Sequence, residues 1–452
     1  MLLPVEAGLH EGCLHQHEAG AASCVRADQG VYVHPKLSRA LHLYCSSAEK
    51  FPLRFVDVVE LFFHELRARG IEQVWYCQPG AAPGGLRKEY VSGVEIIVPP
   101  TFGNGGVIGK AATRLMYWFL EAVFLIRLLW RPVDAILVRD KYWGALVGYV
   151  VARLSGCKLL IWLSYPYPEH EQEEAQSASG SRAWLLRSRS RLGFRILYRF
   201  VMPRADHCFV QSAEMKRDLM RWGISAERMT PVPMGIKKAV FDAVDPSAET
   251  AEPPAVLHLG SLAAVRKLSI LVDAFAIVVQ RRPDARLQFV GDGDLPGERS
   301  ALEAAVAAAG LGNQVEFTGQ LPFDKARIYV ERAAVCVSPV RMPLLRVASP
   351  TKFVEYLAFA KPTIGNDQPE HAMIAQESQG ALTVDWTPQA FADAILWCLD
   401  HPREAREMGL RGRAWVQENR TYDRIAAMVH LKLLEVVPAG GRARGAASAV
   451  RR

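Results

Sequence analysis

Residues 349–367 read SPTKFVEYLAFAKPTIGND. Ser349 suits an N-cap and Pro350 the first helical position, where its missing N–H would be unpaired anyway. An apolar helical run follows, then the strand-like PTIGND. The strand-like AVCVSPV (334–340) precedes it, so the helix starts at the carboxyl edge of a sheet. Free N–H groups and the helix dipole there favour an anion. Lys352 adds a positive charge at that end, and Glu355, three residues on, shares its face. A carboxylate one turn deeper than a phosphate site is placed to accept hydrogen bonds from a ribose diol. An ordinary exposed Lys–Glu pair has the same spacing and is worth only about 0.3–0.5 kcal/mol.

A second basic loop gives the first one a partner. HLGSLAAVRKLSILVDAF (258–275) places Gly260 and Ser261 in a turn after a strand, then Arg266 and Lys267 before a helix. Two cationic loops at strand ends suit a diphosphate if the topology joins them.

Around these stretches, short apolar runs alternate with amphipathic ones. In the second half the strands are AVLHLGS, RLQFVGDG, QVEFTGQ, AVCVSPV, PTIGND and ALTVD; in the first, ALHLYCSS, QVWYC, VDAILVRD, KLLIWLS and DHCFVQS. This alternation implies an α/β chain with parallel sheets covered on both faces. The Pro-, Ala- and acid-rich DAVDPSAETAEPPA (242–255) separates the halves. The expected organisation is a poorly ordered extension over 1–38, a first doubly wound domain over 39–240, a linker over 241–254 and a second doubly wound domain over 255–420. A C-terminal helix within 421–452 then returns to the first domain ahead of an Arg/Ala/Gly tail. In such sheets ligands bind at the carboxyl ends of the strands, here in a cleft between two Rossmann-like domains.

Composition narrows the classes further. Of 452 residues, 50% are hydrophobic and 22% charged, which is ordinary for a globular chain. The formal charge of +7 favours an anionic partner. Eight cysteines without a CxxC pair argue for a reducing, cytoplasmic compartment and against structural zinc. The first residues lack the pattern of a signal peptide. LMYWFLEAVFLIRLLW (115–130) is short for a membrane span and is broken by Glu121 and Arg127. GNGGVIGKAAT (103–113) looks like a phosphate loop, but Asn104 replaces its first glycine and Ala111 the magnesium-binding hydroxyl.

Several of these motifs, in order, resemble the retaining glycosyltransferases of family four with the GT-B fold. GSLAAVRK is similar to that family's Gly-loop, FVGDGD and VEFTGQL to its next strand–loop units, and SPTKFVEYLAFAKPTI to its signature around the ribose carboxylate. AREMGLRGRAWVQENRTYDRIA resembles its C-terminal helices; ADHCFVQSAEMKRDLMRWGI and MTPVPMGI match its first half. The resemblance implies that Glu355 binds the donor ribose and that Arg266 and Lys352 bind the diphosphate. Lys267 stands where the family has glycine and shares or replaces the role of Arg266. Gly260, Ser261, Ser349 and Thr351 would line the phosphates, with Gly291 and Gly293 in a loop near the nucleotide. The first glutamate of the family's pair falls at Val347 here, which puts the contact to the donor sugar in doubt. Where the family has a first-domain histidine, LLIWLSYPYPEH offers Ser164, Tyr165 and Glu169 on the acceptor side.

The implied reaction is transfer of a hexose-type sugar from a nucleotide-diphosphate sugar to a glycan or lipid-linked acceptor, with retention, no metal and no other cofactor. Two other readings share the fold: a non-catalytic sugar-nucleotide binder that supports an active transferase, and a sugar-nucleotide epimerase. SRAWLLRSRSRLGFRILYRFVMPR (181–204) has seven arginines and no acid. Arg187, Arg191, Arg195 and Arg199 form a stripe, with Leu185, Leu192, Ile196 and Phe200 on another face. That pattern suits an anionic membrane surface, such as the inner face of the plasma membrane. It lacks the aromatic interleaving of a nucleic-acid module.

Overall fold

The computed structural model describes residues 40–53, 56–80, 83–102, 106–131, 133–246, 252–341 and 343–438. The expected extension over 1–38, the acidic part of the linker at 247–251, the start of the phosphate-loop-like stretch at 103–105 and the tail from 439 lie outside the described residues.

Among the described residues, fourteen strands form two sheets. The first contains β1 (Leu41–Lys50), β2 (Ile71–Gln78), β3 (Arg87–Val91), β4 (Val94–Val98), β5 (Ala135–Arg139), β6 (Lys158–Leu163), β7 (His207–Val210) and β8 (Met229–Pro231), in the order β3-β4-β2-β1-β5-β6-β7-β8. The second contains β9 (Ala255–Leu259), β10 (Arg286–Val290), β11 (Val315–Gly319), β12 (Val335–Ser338), β13 (Thr363–Asn366) and β14 (Ala381–Val384), in the order β11-β10-β9-β12-β13-β14. Both orders start in mid-sheet and run outward in two directions, the doubly wound arrangement. Central strands read as unbroken apolar runs because helices cover both faces; β5 and β12 are buried along their whole length.

One edge departs from the all-parallel expectation. β3 runs antiparallel to β4, joined through Ser92 and Gly93, which both take positive φ. That left-handed pair is what a two-residue hairpin requires.

On one face of the first sheet, helices Val58–Leu66 and Tyr422–Val436 bury Phe62, Phe63, Ile425 and Val429 with Trp75 and Trp162. The chain thus leaves the second sheet and finishes on the first. On the other face lie helices Val107–Arg127, Trp143–Ser155, Phe194–Val201 and Ala213–Met220. In the second sheet, Ser269–Arg281 and Pro388–Asp400 cover one face. Thr351–Ala358 lies on the opposite side, with helix Pro402–Asn419 pressed against it. The close approach needs Gly409, where a Cβ would sit 2.1 Å from the Ala360 carbonyl oxygen.

Candidate active site

β9 and β12 are neighbours in the second sheet. The loops leaving their carboxyl ends are therefore adjacent, although His258 and Val337 stand 79 residues apart in sequence. His258 is buried beneath both loops, and its Nδ1 lies 3.1 Å from the Val337 carbonyl oxygen. Burial pushes this imidazole down to about 4, against the Val337 hydrogen bond, and Arg266 and Lys352 push it the same way. The loops that carry Arg266 and Lys352 thus leave neighbouring strands.

The rim around them is closely knit. The Gly260 N–H donates to the Val290 carbonyl (2.9 Å), Leu262 to Asp292 (2.8 Å) and Gly291 to Gly319 (3.1 Å). A Cβ at Gly291 would lie 1.9 Å from the Gly260 oxygen, so only glycine lets these loops touch. Gly293 follows, its N–H donated to the Asp292 carboxylate at 2.8 Å. The Ser261 hydroxyl accepts from the Ala263 N–H, and Glu298 accepts from Ala264 (3.0 Å) and Leu295 (2.8 Å). Arg266 ends a short 3-10 turn and is half-exposed, with no ion pair among the described residues. Lys267 beside it is exposed and held at φ +52°.

Helix Thr351–Ala358 is fastened to the end of β9 by Tyr356, whose hydroxyl accepts from the Leu259 N–H at 2.7 Å and donates to the Leu259 carbonyl at 3.2 Å. On its outward side Lys352 Nζ pairs with Glu355 Oε2 at 2.7 Å. Thr351 opens the helix.

Ser349 does not cap this helix. Its hydroxyl instead accepts the Met234 N–H at 3.1 Å, beyond β8 of the first sheet. Pro350 takes the cap position, and no side chain among the described residues bonds to the first turn. The half-buried Met234 N–H needs a partner at the junction of the halves, and Ser349 meets that need. The amides of Thr351, Lys352 and Phe353 are left with no intrahelical acceptor.

Val347 faces the first domain. It is 6% exposed, within the apolar cluster that holds Met215 and Leu219, and its carbonyl accepts the Ser212 hydroxyl at 2.5 Å. Its neighbour Arg346 pairs with Glu214 and Asp218 of helix Ala213–Met220.

Of the residues expected on the acceptor side, Ser164 and Tyr165 stand just past the end of β6. The Ser164 N–H and hydroxyl both donate to Asp140. Tyr165 packs edge-on against Tyr167, and burial pushes its phenol up. Glu169 is turned to Tyr198, whose hydroxyl donates to it at 3.0 Å.

Sequence reading missed a charged cluster at the same edge. Arg139, 2% exposed at the end of β5, lies 2.8 Å from Asp57, 3.5 Å from Glu49 and 3.6 Å from Asp140. Burial alone would lower the guanidinium, but the three carboxylates hold it protonated. Burial raises Glu49 to about 7, only partly offset by Arg139. The signal was the unusual end of AILVRD, where a buried strand runs straight into two charges.

Comparison with known families decides what this geometry belongs to. A family model described as glycosyl transferases group 1 matches residues 253–401, and one described as a glycosyl transferase 4-like domain matches residues 56–235. The chain belongs to the GT-B glycosyltransferases of family four. Among curated relatives of this glycosyltransferase is the alpha-D-kanosaminyltransferase of Streptomyces kanamyceticus, 26% identical over 34% of this chain and 38% of that protein. The matches span less than half the length of the curated relatives. Among solved structures, sucrose-phosphate synthase of Thermosynechococcus elongatus superposes with a TM-score of 0.64 at 18% identity, covering 88% of this chain and 99% of that one. HepE of Anabaena in complex with UDP gives 0.60 at 16% identity, covering 87% and 100%. At these identities the structural likenesses speak to the fold.

Proposed function

We propose that this glycosyltransferase moves a sugar from a nucleoside-diphosphate sugar to an acceptor hydroxyl with retention of anomeric configuration. The observation that carries the reading is that helix Thr351–Ala358, bearing Lys352 and Glu355, is tied through Tyr356 to the end of β9, where the loop carrying Arg266 begins. As the sugar gains oxocarbenium character, charge builds on the leaving diphosphate. Arg266, Lys352 once it has left Glu355, and the amides of Thr351–Phe353 would oppose that charge. The Lys352 side chain is 42% exposed, so its ammonium can leave Glu355 at a cost on the order of 1 kcal/mol. A diphosphate can therefore draw the Lys352 ammonium away while Glu355 turns to the ribose diol. The reading assigns no metal or other cofactor, because these groups suffice for the charge. HepE's solved complexes with UDP and UDP-glucose support a uridine donor as the first to test.

The acceptor, a glycan or lipid-linked sugar, would sit at the carboxyl edge of the first sheet near Tyr165. The Arg-rich helix supports work on the inner face of the plasma membrane. The described cysteines, all free and mostly buried, suit a reducing compartment.

Burial of Val347 favours one second reading, a sugar-nucleotide binder that assists another transferase. Donor hydrolysis by the purified protein separates the two, since a binder releases no free sugar. The central test is Glu355→Ala in calorimetry against UDP-, GDP- and ADP-sugars. Loss of charged hydrogen bonds to a diol should weaken donor binding roughly 10- to 100-fold. The melting temperature should change little, because the Lys352 left behind is 42% exposed and can be hydrated. Unchanged affinity removes Glu355 from the site.

A further inference from the structure

The helical segment from Gly180 to Val201 sorts its arginines into two sets. Arg182 and Arg189 pair with Glu174 and Glu171 of the adjoining helix Tyr167–Ser177. Arg187, Arg191, Arg195 and Arg199 are exposed and make no ion pair among the described residues. On an α-helix a four-residue spacing drifts by about 40° per step. From Phe194 to Val201 the segment is π-helical, and its wider turn takes that drift back, so the stripe stays on one side.

A pocket of about 250 Å³ opens between the two helices, lined by Gln172, Gln176, Arg187, Ser190, Arg191 and Phe194. The Ser190 hydroxyl is committed to the Pro168 carbonyl at 2.7 Å. What remains is two guanidinium groups, two amides and an aromatic wall, with no carboxylate. That set of donors fits a phosphate monoester or diester.

The pocket's outer wall, helix Tyr167–Ser177, carries the exposed Glu173 and half-buried Glu174, but beyond the Arg-rich segment the surface is of one kind. Helix Trp143–Ser155 packs between Val107–Arg127 and Phe194–Val201, with Tyr149 edge-on to Phe200 at 5.2 Å. Leu115, Trp118, Phe119, Val150, Leu154 and Phe200 stand exposed on these three helices. In residues 107–131, 143–155 and 180–204 the one acid is Glu121. It is 1% exposed and held by Lys141 at 3.0 Å. The outward surface of these helices therefore offers aromatic, aliphatic and cationic groups without a carboxylate.

We propose that this face rests on an anionic bilayer and that the pocket between helices Tyr167–Ser177 and Gly180–Gly193 seats the phosphate of a lipid head group. The proposal deepens the membrane part of the functional reading and rests on it. Apolar side chains enter the acyl boundary while the arginines stay at head-group level. The pocket adds a fixed phosphate seat to that diffuse attraction.

The test is sedimentation of the full chain with phosphatidylcholine vesicles, plain or doped with phosphatidylglycerol, at physiological salt. The protein should bind the doped vesicles and leave the plain ones. Arg187→Gln/Arg191→Gln should weaken binding about thirtyfold, the weight of two phosphate-paired arginines. Arg403→Gln/Arg406→Gln makes the same charge change on exposed second-domain positions and should stay within about twofold of wild type. Gln172→Ala/Gln176→Ala changes no charge and should cost about fivefold if the pocket holds the phosphate. Donor affinity by calorimetry should be unmoved in all three variants. If the wild type binds no donor while the vesicle pattern holds, the transferase reading falls and this one stands.

Equal binding to both vesicle types, equal damage from the two arginine pairs, or a silent glutamine variant each overturns the proposal. So does a concentration-dependent dimer by light scattering that Trp118→Ser/Phe119→Ser abolishes, since the face would then belong to a second copy.

Discussion

Lys267 sits at φ +52°, where a side chain costs an L-residue roughly 1 kcal/mol or more and glycine nothing. Its neighbour Arg266 is half-buried, whereas Lys267 is exposed. Backbone and charge can therefore be separated at this one residue. Lys267→Gly should raise unfolding free energy by about 0.5–1 kcal/mol in urea titrations, through relief of that strain. Donor affinity should stay within about twofold, because Arg266 already supplies the cation at the strand end. A tenfold loss of affinity would instead assign the diphosphate to the Lys267 ammonium. At this scale the sequence was legible where partners are close in the chain. The three-residue spacing of Lys352 and Glu355 is a helical pair on inspection. Ser349 was legible only as a helix cap, since nothing local reveals that the Met234 amide lies beside it. Arg139 was missed in part for the same reason: Asp140 is its neighbour, but Glu49 and Asp57 reach it from the end of β1 and the start of helix Val58–Leu66.

Helix Thr351–Ala358 carries Lys352 and Glu355, so its registration on the sheet fixes the candidate site. Tyr356 supplies that registration through Leu259. Tyr356→Phe keeps the ring's packing but leaves the buried end of β9 without its side-chain partner. The expected cost is about 1–3 kcal/mol in urea unfolding, with weaker donor binding as Glu355 loses its fixed height. A variant as stable as wild type would mean that packing alone holds the helix. Most elements were readable because buried parallel strands are plain apolar runs between turn residues. The β3–β4 hairpin carried its signal too, in the alternation about Ser92-Gly93 in KEYVSGVEII, and was overlooked because the βαβ rhythm suggested only parallel strands. The π-helical turns at Val58–Leu66 and Phe194–Val201 had no such signal. Their hydrogen-bond pattern depends on packing against the sheet, which periodicity does not encode.

At the scale of the whole molecule, the two sheets are joined by more than a linker. The Ile236 N–H donates to the Arg420 carbonyl at 2.7 Å, Ser349 binds Met234, and the Pro343–Val347 turn docks on helix Ala213–Met220 through Arg346. Val347 is the apolar peg of that docking, buried with Met215 and Leu219. This gives a physical account of a valine where family resemblance leads one to expect a glutamate. The position serves the contact between the halves, and a carboxylate there would be desolvated among apolar side chains. Val347→Glu, which restores the family residue, should therefore lower stability by about 2–4 kcal/mol and leave donor turnover no higher than wild type. The loss should shrink as pH falls toward 5, because a buried carboxyl has its pKa raised and accepts burial more readily when protonated. Its folded-state pKa would lie above the unfolded value, so the penalty is smallest in acid and grows as pH rises through the folded pKa. A variant with full stability at pH 8 and faster turnover would show the side chain turned toward the cleft, and would return this position to the donor sugar.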